Sequence, residues 1–149
     1  GLFDLDHLKT IHRHIFQDVY DWAGELRQVD IIKGSSQFAH FAYLEQSANH
    51  ISNNSLESTG EYWLHNLAVA DFSNRAAYYL GELNALHPFR EGNSRAQRAF
   101  FTLLAHDGGY ILRWERISAE RMIEASVKSF THADNVEFER IFLDITMPA

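Results

Sequence analysis

Apolar residues recur at helical spacing through most of this chain. Between Leu5 and Tyr20 they fall at Leu8, Ile11, Ile15, Phe16 and Val19, with Asp4 placed to cap, and predict an amphipathic first helix. After Gly24 the rhythm changes. A β-rich run from Val29 to Ile32, a turn-like stretch from Gly34 to Ser36 and a second run from Phe38 to Tyr43 predict a short hairpin standing out as a flap. A helix is expected over about 43–56, ended by the loop-forming NNSLESTGE. From Glu61 to Leu86 the positions Leu64, Leu67, Ala68, Phe72, Ala76, Tyr79, Leu80 and Leu83 keep one period, long enough for a central buried helix that Gly81 weakens only slightly.

Pro88 disfavours helical geometry at His87, so this helix should stop there and hand over through REGNS to a new helix beginning near Arg95. Ala99, Phe100, Leu103 and Leu104 give that helix its core face, and the glycine pair at 108–109 ends it. Ser118 opens another helix, and a last one covers about 135–145. The expected fold is mainly α, a helical bundle with a short β-hairpin flap.

With 149 residues and 46% hydrophobic content, the chain suffices for one domain over 1–149 with a single core. Because it opens almost directly into a helix, it reads as a piece cut from a longer protein. The absence of cysteine excludes disulfides, thiolate zinc sites and a cysteine nucleophile, and leaves the compartment open. A formal charge of −7 argues against a protein held on nucleic acid or anionic lipid by phosphate neutralisation. No apolar run approaches the roughly 20 residues of a membrane span, and no signal peptide is visible.

The chemistry concentrates in HPFREGNSRAQR. A turn of Gly92, Asn93 and Ser94 before a helix N-terminus presents unpaired backbone N–H groups, an anion cradle suited to phosphate oxygens. Arg95 and Arg98, one helical turn apart, can both fork onto phosphates. Glu91 supplies a hard oxygen of the kind Mg²⁺ accepts when water and phosphates complete its shell. His87 titrates near neutrality, and in its neutral form it can take the proton of a hydroxyl attacking phosphorus. Phe89 is expected in the core.

This segment resembles the signature of the Fic family, HxFx(D/E)GNGRxxR, matched at His87, Phe89, Glu91, Gly92, Asn93, Arg95 and Arg98. WAGELR followed by the VDIIKG hairpin also looks like the family's target-docking flap. The resemblance implies an AMP-transferring enzyme that uses ATP and Mg²⁺, with His87 as general base, Glu91 on the metal, the Gly92–Ser94 turn on phosphates, and Arg95 and Arg98 on the β and γ phosphates. It also implies a flap, about Ile32 to Phe41, that grips a target segment by β-augmentation through Ile32, Lys33, Gly34, Ser35, Ser36, Gln37 and Phe38. The target would present a Tyr, Thr or Ser hydroxyl; a small GTPase or a topoisomerase is a target type of this family. Such a protein would act in the bacterial cytoplasm or, as a translocated effector, inside a host cell.

Ser94 departs from the pattern, where a second glycine is usual. A positive φ there would cost a serine dearly, whereas an ordinary φ would leave its hydroxyl free for a phosphate or water. The family's self-inhibiting pattern, Ser or Thr with Glu four residues on, does not occur in this chain. Restraint is therefore expected from outside this chain, from a separate antitoxin-like protein rather than from flanking sequence, through the inhibitory glutamate that pairs with Arg98 in the family. Two other functions fit the motif: transfer of UMP, phosphocholine or phosphate, and a silent nucleotide- or partner-binding domain. His12 and His14, at i and i+2 of one helix, cannot easily share a metal and read as surface residues. Tyr78 and Tyr79 read as core packing, and Arg90 as a solvated or Glu91-paired side chain.

Overall fold

The computed structural model describes residues 4–33, 36–51 and 64–149. Six helices are found among them: α1 (Leu5–Phe16), α2 (Leu44–Ile51), α3 (Val69–Leu86), α4 (Asn93–Asp107), α5 (Ala119–His132) and α6 (Val136–Ile145). Four short strands accompany them: β1 (Ile32–Lys33), β2 (Ser36–Gln37), β3 (Tyr110–Leu112) and β4 (Thr146–Pro148). The caps are those the sequence offers. Asp4 accepts from the His7 amide at 3.0 Å, Ser118 accepts from the Arg121 amide, and Gly108 closes α4.

α3 is the axis of the bundle, packed against α2, α4, α5 and α6. Its buried residues Phe72, Ala76, Tyr79, Leu80, Leu83 and Leu86 meet Phe138, Ile141, Phe142 and Ile145 of α6 and Phe100, Phe101 and Leu104 of α4. Every helix is amphipathic, so burial of these faces, not intrinsic propensity, holds the bundle together.

Four expectations change. The central helix begins at Val69, not Glu61, because Leu64 and Asn66 sit at positive φ and break the helical path although Leu64 is fully buried. The hairpin is shorter than its β-rich flanks: only Ile32↔Gln37 and Lys33↔Ser36 pair, and Phe41–Tyr43 forms a 3₁₀ turn capped by His40. The first helix ends at Phe16. A second antiparallel ladder, which the sequence pattern does not predict, pairs Tyr110↔Pro148, Ile111↔Met147 and Leu112↔Thr146 and ties residues 146–148 to the turn after α4. Its strands are only three residues long, too short for an alternating pattern to show. The NNSLESTGE loop, the start of the expected central helix at 61–63, and Gly34 and Ser35 lie outside the described residues.

Candidate active site

α3 delivers His87 at its C-terminal end. His87 takes a left-handed conformation, φ 48° and ψ 64°, while its N–H still reaches the Leu83 carbonyl at 2.9 Å. Pro88 forbids a further helical residue, and the left-handed position turns the chain away from the helix. A non-glycine residue held there carries local strain and persists only when its surroundings enforce it. Two contacts do so: the His87 carbonyl accepts from Arg27 Nε at 2.7 Å, and its ring stacks on Phe38 with centroids 4.0 Å apart. Phe38 is braced in turn by Phe130. Burial, then the nearby charges of Lys33 and Arg27, push the imidazole pKa down to about 4 against an opposing backbone hydrogen bond at Asn84. His87 is thus neutral at pH 7, the state a proton acceptor needs.

The loop after His87 is closed from within. Asn93, buried, accepts from the Phe89 N–H at 2.9 Å and donates to the Phe89 carbonyl at 2.7 Å. Its side-chain amide therefore shapes the loop, and what Asn93 can offer a phosphate is its main-chain N–H. Phe89 is buried as expected. Gly92, at φ 80°, is the N-cap of α4, and no side chain caps that end. The first-turn amides of Asn93, Ser94 and Arg95 therefore have no intrahelical partner. Replacing Asn93 with alanine leaves both Phe89 backbone groups unpartnered inside the protein, at about 1–3 kcal/mol for each. Denaturant unfolding should show this loss.

Ser94 is not among the residues with positive φ, so a glycine is not needed there. It is exposed and lines a small cleft together with His87, Asn84, Gln97 and Arg98. Arg98 continues from this cleft onto the open face it shares with Arg95, Thr102 and Trp114. The Arg95 guanidinium lies over the Phe16 ring, 5.0 Å from its centroid. Glu91 is exposed. Among the described residues no three His, Cys, Asp or Glu side chains gather as a metal-binding set. One exposed hard carboxylate beside an open helix N-terminus fits Mg²⁺ whose remaining ligands would be water and the oxygens of an anionic ligand.

Behind the loop stands His12, which is buried, not the surface residue expected. Its Nδ1 accepts from the Gly24 amide at 2.9 Å, so Nε2 carries the proton and donates to the Glu91 carbonyl at 2.9 Å. Its ring stacks on Phe89 with centroids 3.9 Å apart. Burial lowers its pKa, which suits this neutral tautomer. His12 thereby fixes the backbone from which Glu91 projects. It falls at i+4 from Leu8 and four residues before Phe16, so the apolar stripe of α1 already pointed inward at this position. His14 is exposed as expected. Tyr79 is buried as expected, while Tyr78 is partly exposed with Arg75 over its ring, and Arg90 sits over Trp22.

On the other side of His87, the flap places Ile32, Lys33 and Gln37 in solvent. An open groove of about 1100 Å³ runs from Gln37, Phe38 and Ala39 to Gln46 and His50 of α2 and Glu82 of α3. The cleft and the groove meet at the Phe38–His87 stack.

A neutral histidine at the mouth of a capless helix N-terminus bearing two arginines, faced by a hairpin, is the arrangement expected of a Fic-type domain. The chain belongs to the Fic/DOC family, whose profile matches residues 2–105. It is 48% identical over 130 residues to the protein adenylyltransferase VbhT of Bartonella schoenbuchensis, covering 87% of this chain and 27% of that protein. It is 43% identical over 145 residues to the probable protein adenylyltransferase Fic of Escherichia coli, covering 97% and 70%. The crystal structure of the BepC effector of Bartonella tribocorum with bound AMPPNP superposes with a TM-score of 0.92 at 25% identity, covering 99% of this chain and 76% of that one. The chain thus spans about a quarter of VbhT and most of the other two.

Proposed function

We propose that this domain is a protein adenylyltransferase, moving AMP from ATP and Mg²⁺ onto a Tyr, Thr or Ser hydroxyl of a target protein. The observation that carries the reading is the cleft where neutral His87 and Arg98 face each other beside the open end of α4. The target segment docks along Ile32, Lys33, Gly34, Ser35, Ser36, Gln37 and Phe38 and presents its hydroxyl to His87. As the hydroxyl oxygen forms its bond to the α-phosphorus, the proton passes to His87. The bond to the bridging oxygen breaks, and its electrons leave with pyrophosphate. Arg95, Arg98 and the amides of Asn93 and Ser94 hold the phosphates, with Gly92 setting their direction. The Ser94 hydroxyl adds a donor that the family's usual glycine lacks. Glu91 would hold Mg²⁺, which when bound would supply neutralisation of the charge on the leaving diphosphate.

Two relatives carry the adenylyltransferase name and a structural neighbour holds AMPPNP, which supports nucleotide as donor. A small GTPase or a topoisomerase is the target type we favour. Activity in the bacterial cytoplasm or, as with the VirB-translocated effector BepC, inside a host cell fits the similarities. Restraint is assigned to a separate antitoxin-like protein aimed at Arg98. Among the described residues no helix is long and apolar enough to cross a membrane.

Incubation with lysate and Mg²⁺ tests the donor. Label from α-phosphate-labelled ATP should enter a protein band, and label from γ-phosphate-labelled ATP should not. A γ-labelled band reassigns the domain to phosphate transfer, and label from UTP or CDP-choline alone reassigns the group moved. Silence with every donor favours the binding-only reading. Mass spectrometry of the band gives the added mass and the acceptor residue.

A further inference from the structure

Among the described residues Arg27 is the largest fully buried side chain, and it lies outside the catalytic loop. Its Nε donates to the His87 carbonyl at 2.7 Å and its Nη2 to the Leu86 carbonyl at 3.1 Å, both at the end of α3. Nη1 donates to the Val29 carbonyl at 2.8 Å, and Nη2 also donates to the Ala39 carbonyl, one on each flank of the flap. Asp30, 3.8 Å from Nη1, supplies the counter-charge. The Arg27 backbone N–H adds a bond to the Pro88 carbonyl at 3.0 Å, and the Ala39 N–H one to the Ala85 carbonyl at 3.2 Å. One planar guanidinium thus satisfies four carbonyls drawn from the two flap flanks and the strained histidine turn. A buried cation is costly unless every donor is matched, and each match here joins flap to turn.

We infer that Arg27 is a positioning residue that locks the flap and His87 into one mechanical unit, so that a target strand registered on the flap is registered on the imidazole. The inference rests on the proposed transfer reaction for its purpose, though not for its geometry. The bonds are all main-chain on the receiving side, so the lock is independent of target sequence. They also explain why His87 tolerates its left-handed backbone: both its carbonyl and the preceding one are held.

Amide hydrogen exchange tests the lock in the unmutated chain. The amides of Arg27, Ala39 and His87 should share one protection factor and one dependence on urea, as members of a single opening unit. Opening of Ala39 at low urea while His87 stays protected would overturn the proposal. In Arg27→Lys, which keeps the charge but not the fork, exchange at Ala39 and His87 should rise together by about 10- to 100-fold, the effect of losing charge-assisted hydrogen bonds. Phe142 in the core should stay as protected as before. Unchanged exchange at Ala39 and His87, or an equal loss at Phe142, would reduce Arg27 to an ordinary structural residue. In the lysate assay the variant should label more slowly at saturating ATP, with the ATP concentration for half-rate unchanged because the phosphate cradle lies beyond the lock. Should the unmutated domain label nothing, the transfer reading fails while the exchange data still decide the lock.

Discussion

Replacing His87 with asparagine should lower AMP transfer by about 10²–10⁴-fold, the usual worth of a positioned proton acceptor, while ATP binding at the Gly92–Arg98 cradle persists. Asparagine is the better probe than alanine because it tolerates the left-handed backbone found here. A variant that still labels its target at the unmutated rate would remove His87 from the chemistry. The pH profile gives a second check. With its pKa near 4, His87 is still neutral at pH 5, so transfer should hold nearly constant from pH 7 to pH 5. An unperturbed histidine base, titrating near 6.5, would by then retain only about a thirtieth of its neutral form. Stability carries the same signature. Because the folded-state pKa is depressed, the unfolded chain binds more protons below about 6.5. The stabilisation is therefore complete above that pH and declines as pH falls toward about 4. Melting curves of the unmutated protein should fall across this window more steeply than those of His87→Asn.

The helices were legible because their faces are wide and their ends are marked. Asp4, Ser118, Gly108 and Pro88 each stop or start a helix by local chemistry that any neighbouring fold would obey. The start of α3 was not legible, since Leu64 belongs to the core without belonging to the helix and only tertiary packing reveals that. In the site, the contiguous residues His87 to Arg98 announced themselves through spacing. The supports did not. Arg27 is 60 residues from the carbonyl it holds, and His12 is 79 from the Glu91 carbonyl. Both act on main-chain carbonyls, which carry no sequence signal, so nothing in the partner's identity could have pointed back to them. For His12 a clue existed in its place on the apolar stripe of α1. Arg27 stood inside WAGELR, the segment linked to the flap, but nothing in that motif marks its side chain as buried.

Gly92→Ala should be as damaging as the loss of His87, by a different route. At φ 80° an alanine suffers the left-handed penalty of about 1–2 kcal/mol, and its Cβ would sit 2.3 Å from Phe16 Cε2, far inside contact distance. Relief requires Phe16 to move, but Phe16 is buried against His12 and Tyr20 and carries Arg95 over its ring. Overpacking of this kind costs about 1–3 kcal/mol. The sum, about 2–5 kcal/mol, is a large part of the stability of a typical domain, and the melting temperature should drop by about 5–20 °C. Arg95 and the amides of the first turn of α4 would be displaced together, so nucleotide binding should weaken along with transfer, unlike in His87→Asn. The double variant Gly92→Ala with Phe16→Leu removes the collision and leaves the backbone penalty. It should recover part of the melting temperature, and a Gly92→Ala protein that melts like the unmutated one would show that Phe16 does not press on this turn. The contrast separates two demands the loop places on one position: a conformation that only glycine adopts cheaply, and a surface flat enough for an aromatic ring to support the arginine above it.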